Sequence, residues 1–133
     1  MQKGFLHRRS MLRNVVEIDF HAMRVTLLNP HGALIFFDFS AAFPSISHEY
    51  MFEVLRHLNT PQEVINVISA LYFDNSCEIS VHGISFMGFL LTSGVRQGCP
   101  LSPLIFVLSV DMLLRTLERI EGITSRAFAD DIG

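Results

Sequence analysis

The stretch Ser125-Arg126-Ala127-Phe128-Ala129-Asp130-Asp131-Ile132-Gly133 carries two adjacent carboxylates at the end of a short apolar segment. Its pattern predicts a strand that enters a turn at the two acids, with only half of a hairpin present where the sequence stops. Adjacent acids repel each other unless solvent or a cation relieves the repulsion. The end of this strand is therefore a first candidate for a cation site.

A second acidic strand is predicted around residue 38. The run Ala33-Leu34-Ile35-Phe36-Phe37-Asp38-Phe39 is almost wholly apolar, which is typical of a strand buried on both faces, and its single charge is Asp38. A carboxylate that leaves water must be paired, bound to metal or neutralised. If the two strands lie side by side, Asp38 and Asp130 would share divalent metal at the edge of a sheet. Strand-end aspartates are also common as exposed caps and turn residues.

Helices are predicted between and around these strands. Apolar residues at helical spacing predict a first helix from about Ser10 to Leu28. A second helix begins at Ser47, and a third follows Thr60-Pro61-Gln62-Glu63, which has the form of a capping box with proline at the first helical position. A fourth, strongly apolar helix is predicted from Pro100 to about Glu121.

The remaining segments predict a hairpin and a loop. Residues 77–81 and 85–91 have the composition of two strands joined by His82-Gly83, and the glycine-rich stretch 93–98 follows them as a turn. Strands that alternate with helices predict a mixed α/β or α+β sheet with helices on one face. Such a fold class does not by itself identify a reaction.

Length and composition limit the kind of protein. With 133 residues, half of them hydrophobic, the chain is expected to form one domain. It has no run long enough to cross a bilayer and no apolar signal segment, so it is expected to stay inside the cell and off membranes. Its two cysteines predict free thiols, and its six histidines lack ligand spacing. Asp111, inside the fourth helix, is expected to be a structural hydrogen-bonding group.

Charge is unevenly distributed along the chain. The net charge of -3 argues against a broadly basic nucleic-acid-binding surface. The first 24 residues are nonetheless basic, since they hold Lys3, Arg8, Arg9, Arg13 and Arg24 against only Glu17 and Asp19. A phosphate-facing segment beside a carboxylate site explains this distribution, and so does an ordinary solvated helix face.

Several motifs resemble those of one enzyme family, the reverse transcriptases. The stretch Phe36-Phe37-Asp38-Phe39-Ser40-Ala41-Ala42-Phe43 resembles the first catalytic motif of these enzymes. The stretch Ser93-Gly94-Val95-Arg96-Gln97-Gly98-Cys99-Pro100-Leu101-Ser102-Pro103-Leu104-Ile105-Phe106 resembles the second, and Phe128-Ala129-Asp130-Asp131 resembles the third. Gln2-Lys3-Gly4-Phe5, with Arg9-Ser10 and Asn14, looks like the fingers motif of the branch that includes non-LTR retrotransposons and group II introns. The resemblance covers nearly the whole chain.

This resemblance implies a fold and an activity. The fold would be α+β, a partial right-hand polymerase palm at residues 31–133, with an antiparallel sheet and helices packed on one face, plus part of the fingers at residues 1–30. The activity would be RNA-directed DNA polymerase, by two-metal nucleotidyl transfer from dNTPs to the 3′ hydroxyl of a DNA primer on an RNA template, with Mg²⁺ or Mn²⁺ as cofactor. The resemblance implies no oligomeric state.

The resemblance also implies site residues. The metal ligands would be Asp38 and Asp130, helped by the main-chain carbonyl of Phe39, with Asp131 close by as the weaker or indirect ligand. Phe43 would lie under the sugar of the incoming nucleotide and exclude a 2′ hydroxyl. The alternative for Phe43 is a plain core aromatic, which is the usual role of phenylalanine.

Further residues are implied around the nucleotide and the nucleic acid. Gln97 and Gly98 would border the nucleotide pocket, although most glycine-rich turns merely connect elements. Contacts of Arg8, Arg9 and Arg13 with template or triphosphate are consistent with their charge, and an exposed helical start explains these arginines equally well.

The chain departs from the family pattern in two ways. Pro44 follows Phe43 where many relatives carry an acidic residue. The palm sequence is truncated after the third motif, so the segments that hold the primer have no counterpart, and the isolated chain is expected to be inactive. Two functions therefore stay open: a fragment of an RNA-directed DNA polymerase, or a non-catalytic retrotransposon remnant that is at most a weak nucleic-acid-binding or interaction module.

Overall fold

The computed structural model describes residues 2–5, 9–29 and 31–133. Within these residues the elements follow the order α1 (Met11–Leu28), α2 (His48–His57), α3 (Gln62–Tyr72), β1 (Ser76–Val81), β2 (Ile84–Leu90), α4 (Ser102–Leu117), β3 (Ala127–Phe128) and β4 (Asp131–Ile132). The strands form two separate antiparallel pairs, β1 with β2 and β3 with β4. This mixture of helices with small antiparallel sheets is compatible with the expected α+β class, but the described residues do not form the single sheet that the sequence predicted.

The core lies among α2, α3 and α4. Each helix contributes one apolar stripe, and α4 is buried along most of its length. Phe106 and Leu114 of α4 are completely buried, as is Met51 of α2. Burying a side chain of this size stabilises the fold by about 1.5–3 kcal/mol. These three helices therefore form the scaffold against which the segments that precede α2 and α4 are packed.

The predicted helix starts are correct for α2 and wrong in detail for α3. The Ser47 hydroxyl accepts a hydrogen bond from the Tyr50 N–H at 3.4 Å and caps α2. The capping box predicted at residues 60–63 is not formed, because the N-cap is Pro61 and no side chain caps α3. The carbonyl of Pro61 accepts the first helical N–H groups instead, from Val64 and Ile65. The fourth helix ends at Leu117, earlier than predicted.

The hairpin β1–β2 confirms the sequence prediction. His82 and Gly83 form its two-residue loop, with φ values of 50° and 80°. Two consecutive residues with positive φ match the right-handed twist of the paired strands, which explains why this dipeptide joins them. Most side chains on both strands are exposed.

The prediction for residues 33–39 is wrong. This run is not a strand; it makes a single antiparallel bridge, between Phe37 and Ile132. Its apolar side chains are largely exposed, Phe36 by 69% and Phe37 by 58%. A strand buried on both faces needs elements above and below it, and the described residues offer it only one edge partner. Asp38 is exposed as well, so the cost of burying a carboxylate does not apply to it.

Helix α1 forms where the sequence predicted it, but its apolar side chains are not covered. Leu12 is 74% exposed and Leu27 is 78% exposed, whereas the buried residue of this helix is the polar Asn14. The Asn14 amide donates to the Ala127 carbonyl at 2.8 Å, so α1 is attached to β3 through a hydrogen bond. Among the described helices, none has the length and apolarity required to span a membrane.

The segment at residues 125–133 is a complete short hairpin, not the half hairpin that was predicted. Ala127 pairs with Ile132 and Phe128 pairs with Asp131. Beyond them, the backbones of Arg126 and Gly133 exchange hydrogen bonds of 2.6 and 2.8 Å. The strand β3 therefore has a partner within the chain, since it pairs with β4.

Candidate functional site

Four chain segments lie side by side around the hairpin β3–β4. Gln2 makes a parallel bridge to Ala127, Ala127 pairs with Ile132, and Ile132 makes an antiparallel bridge to Phe37. The order across this small patch is thus residue 2, β3, β4 and residue 37. It brings together three of the four motif stretches, namely the N-terminal motif and the two motifs that carry the acids.

This pairing places Asp38 in register with Asp131. Phe37 and Ile132 exchange two main-chain hydrogen bonds, of 2.8 and 3.2 Å, which is the pattern of a hydrogen-bonded antiparallel pair. The next pair along such a ladder has its side chains on one face and at their closest approach. Asp38 and Asp131 occupy that next position, and both line the same shallow pocket beside α1. Asp38 thus lies beside the pocket that Asp131 lines, with Asp130 in the adjoining turn, and the coupling of Asp38 with Asp130 stays a prediction.

Asp130 lies in the turn between β3 and β4. It is half-buried, whereas Asp38 and Asp131 are exposed. None of the three carboxylates forms a hydrogen bond or ion pair with another residue in the described part of the chain. Three negative charges lie on neighbouring segments with no counter-charge from the described residues, which is the electrostatic setting that a bound cation relieves.

A divalent metal bound at these acids would have few protein ligands. Within residues 2–5, 9–29 and 31–133, no three acidic, histidine or cysteine side chains converge closely enough to enclose a metal ion. Mg²⁺ commonly takes one or two carboxylates and completes its shell with water and substrate phosphates. The pair Asp38 and Asp131 fits this open type of site, and it does not form a closed protein cage.

Phe39 and Phe43 both rest on the buried ring of Phe106. The ring centroids of Phe43 and Phe106 lie 5.1 Å apart, and those of Phe39 and Phe106 lie 6.3 Å apart in an edge-to-face arrangement. Both outer rings are half-buried. The core aromatic of α4 therefore sets the position of the segment that follows Asp38.

The loop at residues 93–98 is tied to the segment that contains Phe43. The Val95 N–H donates to the Phe43 carbonyl at 2.9 Å, and the Gly94 N–H donates to the Ile46 carbonyl at 2.7 Å. Gly94 has a φ of 88°, and an added Cβ there would lie 2.9 Å from the Pro44 Cα, so this close approach requires glycine.

Gln97 and Gly98 lie in an exposed turn of that loop. Gly98 has a φ of 85° with open space around its Cα, so the backbone is accessible there. The guanidinium of the neighbouring Arg96 donates a hydrogen bond to the neutral Asn75 side chain at 2.6 Å. The loop that carries Gln97 is thus joined to the Phe43 segment through Val95.

The predicted nucleic-acid-binding arginines have different settings. Arg8 lies outside the described residues, and Arg9 is exposed. Arg13 is exposed but forms an ion pair with Glu17 at 2.9 Å. Its charge is therefore partly neutralised within α1.

Glu17 is a hub that the sequence did not single out. Its carboxylate accepts hydrogen bonds from Lys3 at 2.9 Å, from Arg13 at 2.9 Å and from Arg126 at 3.0 Å. These bonds, that of Lys3 foremost, lower the pKa of Glu17 from 4.5 to about 2. Three cations on one acid join α1 to the N-terminal segment and to the start of β3. In the sequence, the net positive charge of the first 24 residues was the feature that could have indicated these ion pairs.

Gln2 is a second residue whose role the sequence did not reveal. The resemblance included it only as one letter of a motif, yet its side chain is 2% exposed and binds the backbone next to Asp130. Asp111, by contrast, has the structural role that was expected, since it accepts hydrogen bonds from the Gln2 N–H and the Arg115 guanidinium.

The chain is similar in sequence to a known protein family and to several curated proteins. A family model described as "Reverse transcriptase (RNA-dependent DNA polymerase)" matches residues 2–133. Among curated proteins, the chain is 35% identical over 98% of its length to the "Retrovirus-related Pol polyprotein from type-2 retrotransposable element R2DM" of Drosophila melanogaster. It is 33% identical over 71% of its length to the R2 Pol polyprotein from a type-1 retrotransposable element of Nasonia vitripennis.

The chain matches only a small part of these relatives. It spans 13% of the Drosophila protein and 10% of the Nasonia protein. A weaker match, 24% identical, joins 75% of the chain to 8% of the "Transposon TX1 uncharacterized 149 kDa protein" of Xenopus laevis.

Proposed function

This chain belongs to the reverse transcriptase family, as a domain of the non-LTR retrotransposon type, and we propose that it supplies the carboxylates for nucleotidyl transfer in an RNA-directed DNA polymerase. The observation that carries this proposal is the bridge between Phe37 and Ile132, which brings Asp38 to the pocket that Asp131 lines, next to Asp130, with no cationic partner for these acids among the described residues. Such an edge is suited to a divalent metal and a triphosphate.

The residues that would hold the metal are Asp38, Asp130 and Asp131, with the carbonyl of Phe39. When bound, Mg²⁺ or Mn²⁺ supplies activation of a primer 3′ hydroxyl and charge stabilisation of the pyrophosphate leaving group. The protein's own contribution is to hold acids from two distant parts of the chain side by side. The paired backbones of Phe37 and Ile132 provide that alignment.

Selection of the sugar is proposed for Phe43. The ring is half-buried and braced by Phe106, so its position is fixed by the core while part of it stays accessible. A braced flat ring leaves no space for a 2′ hydroxyl and favours deoxynucleotides. Gln97 and Gly98 would border the same nucleotide, because their loop is hydrogen-bonded to the Phe43 segment.

The assignment of palm, fingers and binding partners rests on the same proposal. Residues 31–133 would be palm and residues 1–30 part of the fingers, with an RNA template, a DNA primer and a dNTP as partners. Arg9 is exposed and near the N-terminal segment, which supports a phosphate contact for it more than for the paired Arg13.

A non-catalytic interaction module is the second candidate. The observation in its favour is that no three potential metal ligands converge among the described residues. The two candidates differ in one measurable property, since only the first requires a divalent metal to bind at the acids around β4.

The deciding experiment is Mn²⁺ binding to the purified chain, followed by electron paramagnetic resonance with and without dTTP. We expect Mn²⁺ to bind, and to bind more tightly with dTTP, because the triphosphate completes the coordination shell. Asp38→Asn and Asp131→Asn should each weaken binding, whereas Asp19→Asn, an exposed acid on α1, should not. Equal affinities in all three variants would refute the metal site and favour the interaction module.

A further inference from the structure

Gln2 is a buried polar side chain at the hairpin that carries the acids. Its Oε1 atom accepts three main-chain N–H groups, from Lys3 at 2.9 Å, Gly4 at 2.7 Å and Ala129 at 2.9 Å. Its Nε2 atom donates to the Ala129 carbonyl at 2.8 Å. One side-chain amide therefore satisfies both main-chain groups of Ala129.

Ala129 is the residue that determines the direction of the turn. It has a φ of 56°, in the left-handed region that non-glycine residues rarely adopt, and it directly precedes Asp130. A residue in this conformation persists only where its surroundings hold it. The Ala129 N–H donates to the Gln2 side chain and the Ala129 carbonyl accepts from it. These two hydrogen bonds hold the Ala129 backbone, so Gln2 stabilises the turn on which Asp130 and Asp131 are presented.

The N-terminal segment also packs closely against Ala129 at Gly4. A Cβ added to Gly4 would lie 2.2 Å from the Ala129 nitrogen and 2.7 Å from its Cα. No real side chain tolerates such contacts with backbone. Glycine at position 4 therefore allows the segment to lie directly against the turn, and this observation is independent of the hydrogen bonds of Gln2.

The segment is anchored to the rest of the fold on both sides of Gln2. Its own N–H donates to the Asp111 carboxylate of α4 at 3.3 Å, and Asp111 is held in turn by Arg115 at 2.8 Å. The Lys3 N–H donates to the Ala127 carbonyl at 2.9 Å. The backbone that carries the Gln2 side chain is thus held in a fixed position relative to α4 and β3.

We propose that Gln2 is a positioning residue for the acidic turn, which acts through Ala129 to orient Asp130 and Asp131 toward Asp38. The proposal rests on the function proposed above, in which these acids bind metal. Groups that orient metal ligands typically change metal affinity by about 10- to 100-fold when removed. Gln2 would contribute to metal binding without touching the metal.

The test compares Gln2→Met with Asn14→Leu in the full chain. Both substitutions replace a buried amide by an apolar side chain of similar size. Gln2→Met removes four hydrogen bonds, two of them to Ala129, whereas Asn14→Leu removes one, to Ala127, and does not touch the turn. We expect Gln2→Met to weaken Mn²⁺ binding about tenfold and to accelerate hydrogen exchange at the Ala129 amide. Asn14→Leu should leave Mn²⁺ affinity and exchange at the Ala129 amide near their original values, even if it changes the melting temperature.

Gly4→Ala is the second variant, which carries the test if Gln2→Met does not fold. It retains the hydrogen-bonding groups and charges of the protein and displaces the segment from Ala129, so it should also weaken Mn²⁺ binding. Equal losses of Mn²⁺ affinity in the Gln2 and Asn14 variants would overturn the positioning role. If Asp38→Asn and Asp131→Asn leave Mn²⁺ affinity unchanged, the metal site itself is refuted, and exchange at the Ala129 amide alone then decides whether Gln2 holds the turn.

Discussion

Phe37 and Ile132 exchange both of their main-chain hydrogen bonds, and the acids beside them, Asp38 and Asp131, line one pocket. The two acids come from distant parts of the chain, and neither has a cation among the described residues. Their proximity without a counter-charge has consequences for stability as well as for metal binding.

Removal of one acid should stabilise the metal-free protein. Like charges directly opposite each other on paired strands are destabilising, by a fraction of a kcal/mol in typical cases. Asp131→Asn is therefore expected to raise the free energy of unfolding by about 0.5 kcal/mol without metal. Urea denaturation at low salt measures this gain, which should shrink at high salt because screening weakens the repulsion. Asp19→Asn is the control, and a similar gain in that variant would contradict repulsion between Asp38 and Asp131.

Glu17 should make the stability of the fold depend on acid pH. Hydrogen bonds from Lys3 first, then from Arg13 and Arg126, lower its pKa from 4.5 to about 2 in the folded protein. A lowered pKa means that the folded state favours the charged form, so this contribution is complete above about pH 4.5 and is lost as the pH falls toward 2.

Urea denaturation across this pH range tests the role of Glu17. Glu17→Gln should be less stable than the original protein at pH 6, and the two should converge as the pH approaches 2. Arg24→Gln, which changes a cation on the same helix that does not contact Glu17, should retain the original pH profile. A constant difference between Glu17→Gln and the original protein at all pH values would show that the ion pairs do not set the pH dependence.

Phe43 and Phe39 offer a matched pair for the proposed sugar selection. Both rings contact Phe106, so truncation of either should reduce stability by a similar amount, about 1–2 kcal/mol. In an active polymerase that contains this domain, only Phe43→Ala should increase ribonucleotide incorporation, because only that ring is proposed to lie under the sugar. Primer extension with dNTPs and with rNTPs measures the ratio. An unchanged ratio would mean that Phe43 is a core aromatic alone.

Phe106 should be the most sensitive phenylalanine of the core. It is completely buried and supports both Phe39 and Phe43. Phe106→Ala is expected to cost about 3–5 kcal/mol, through lost burial and the cavity left behind. Phe73, which is 81% exposed, provides the same substitution at the surface, where the expected change is within about 0.5 kcal/mol. Thermal and urea unfolding of the two variants would contradict this account if their losses were equal.

The helices and the hairpin β1–β2 were predictable because their signals are local. Helix α1 and helix α2 follow the spacing of their apolar residues, and the cap of α2 is the Ser47 hydroxyl that the sequence indicated. The dipeptide His82-Gly83 sufficed to predict a two-residue loop, because few residue pairs accept positive φ at both positions. The acidic residues were also identified in advance, through motifs that are continuous in sequence.

Tertiary structure decided what those residues face. An apolar run at residues 33–39 predicts a buried strand, but whether it is buried depends on partners elsewhere in the chain, and here only Ile132 bridges to it. The bridge that brings Asp38 to the pocket of Asp131 arises from hydrogen bonds between segments far apart in sequence. The same holds for Gln2, whose amide reaches Ala129 near the opposite end of the chain. Residue type and local spacing determined which groups were available, whereas long-range backbone pairing determined which of them meet, because a shift of one residue turns a side chain to the other face.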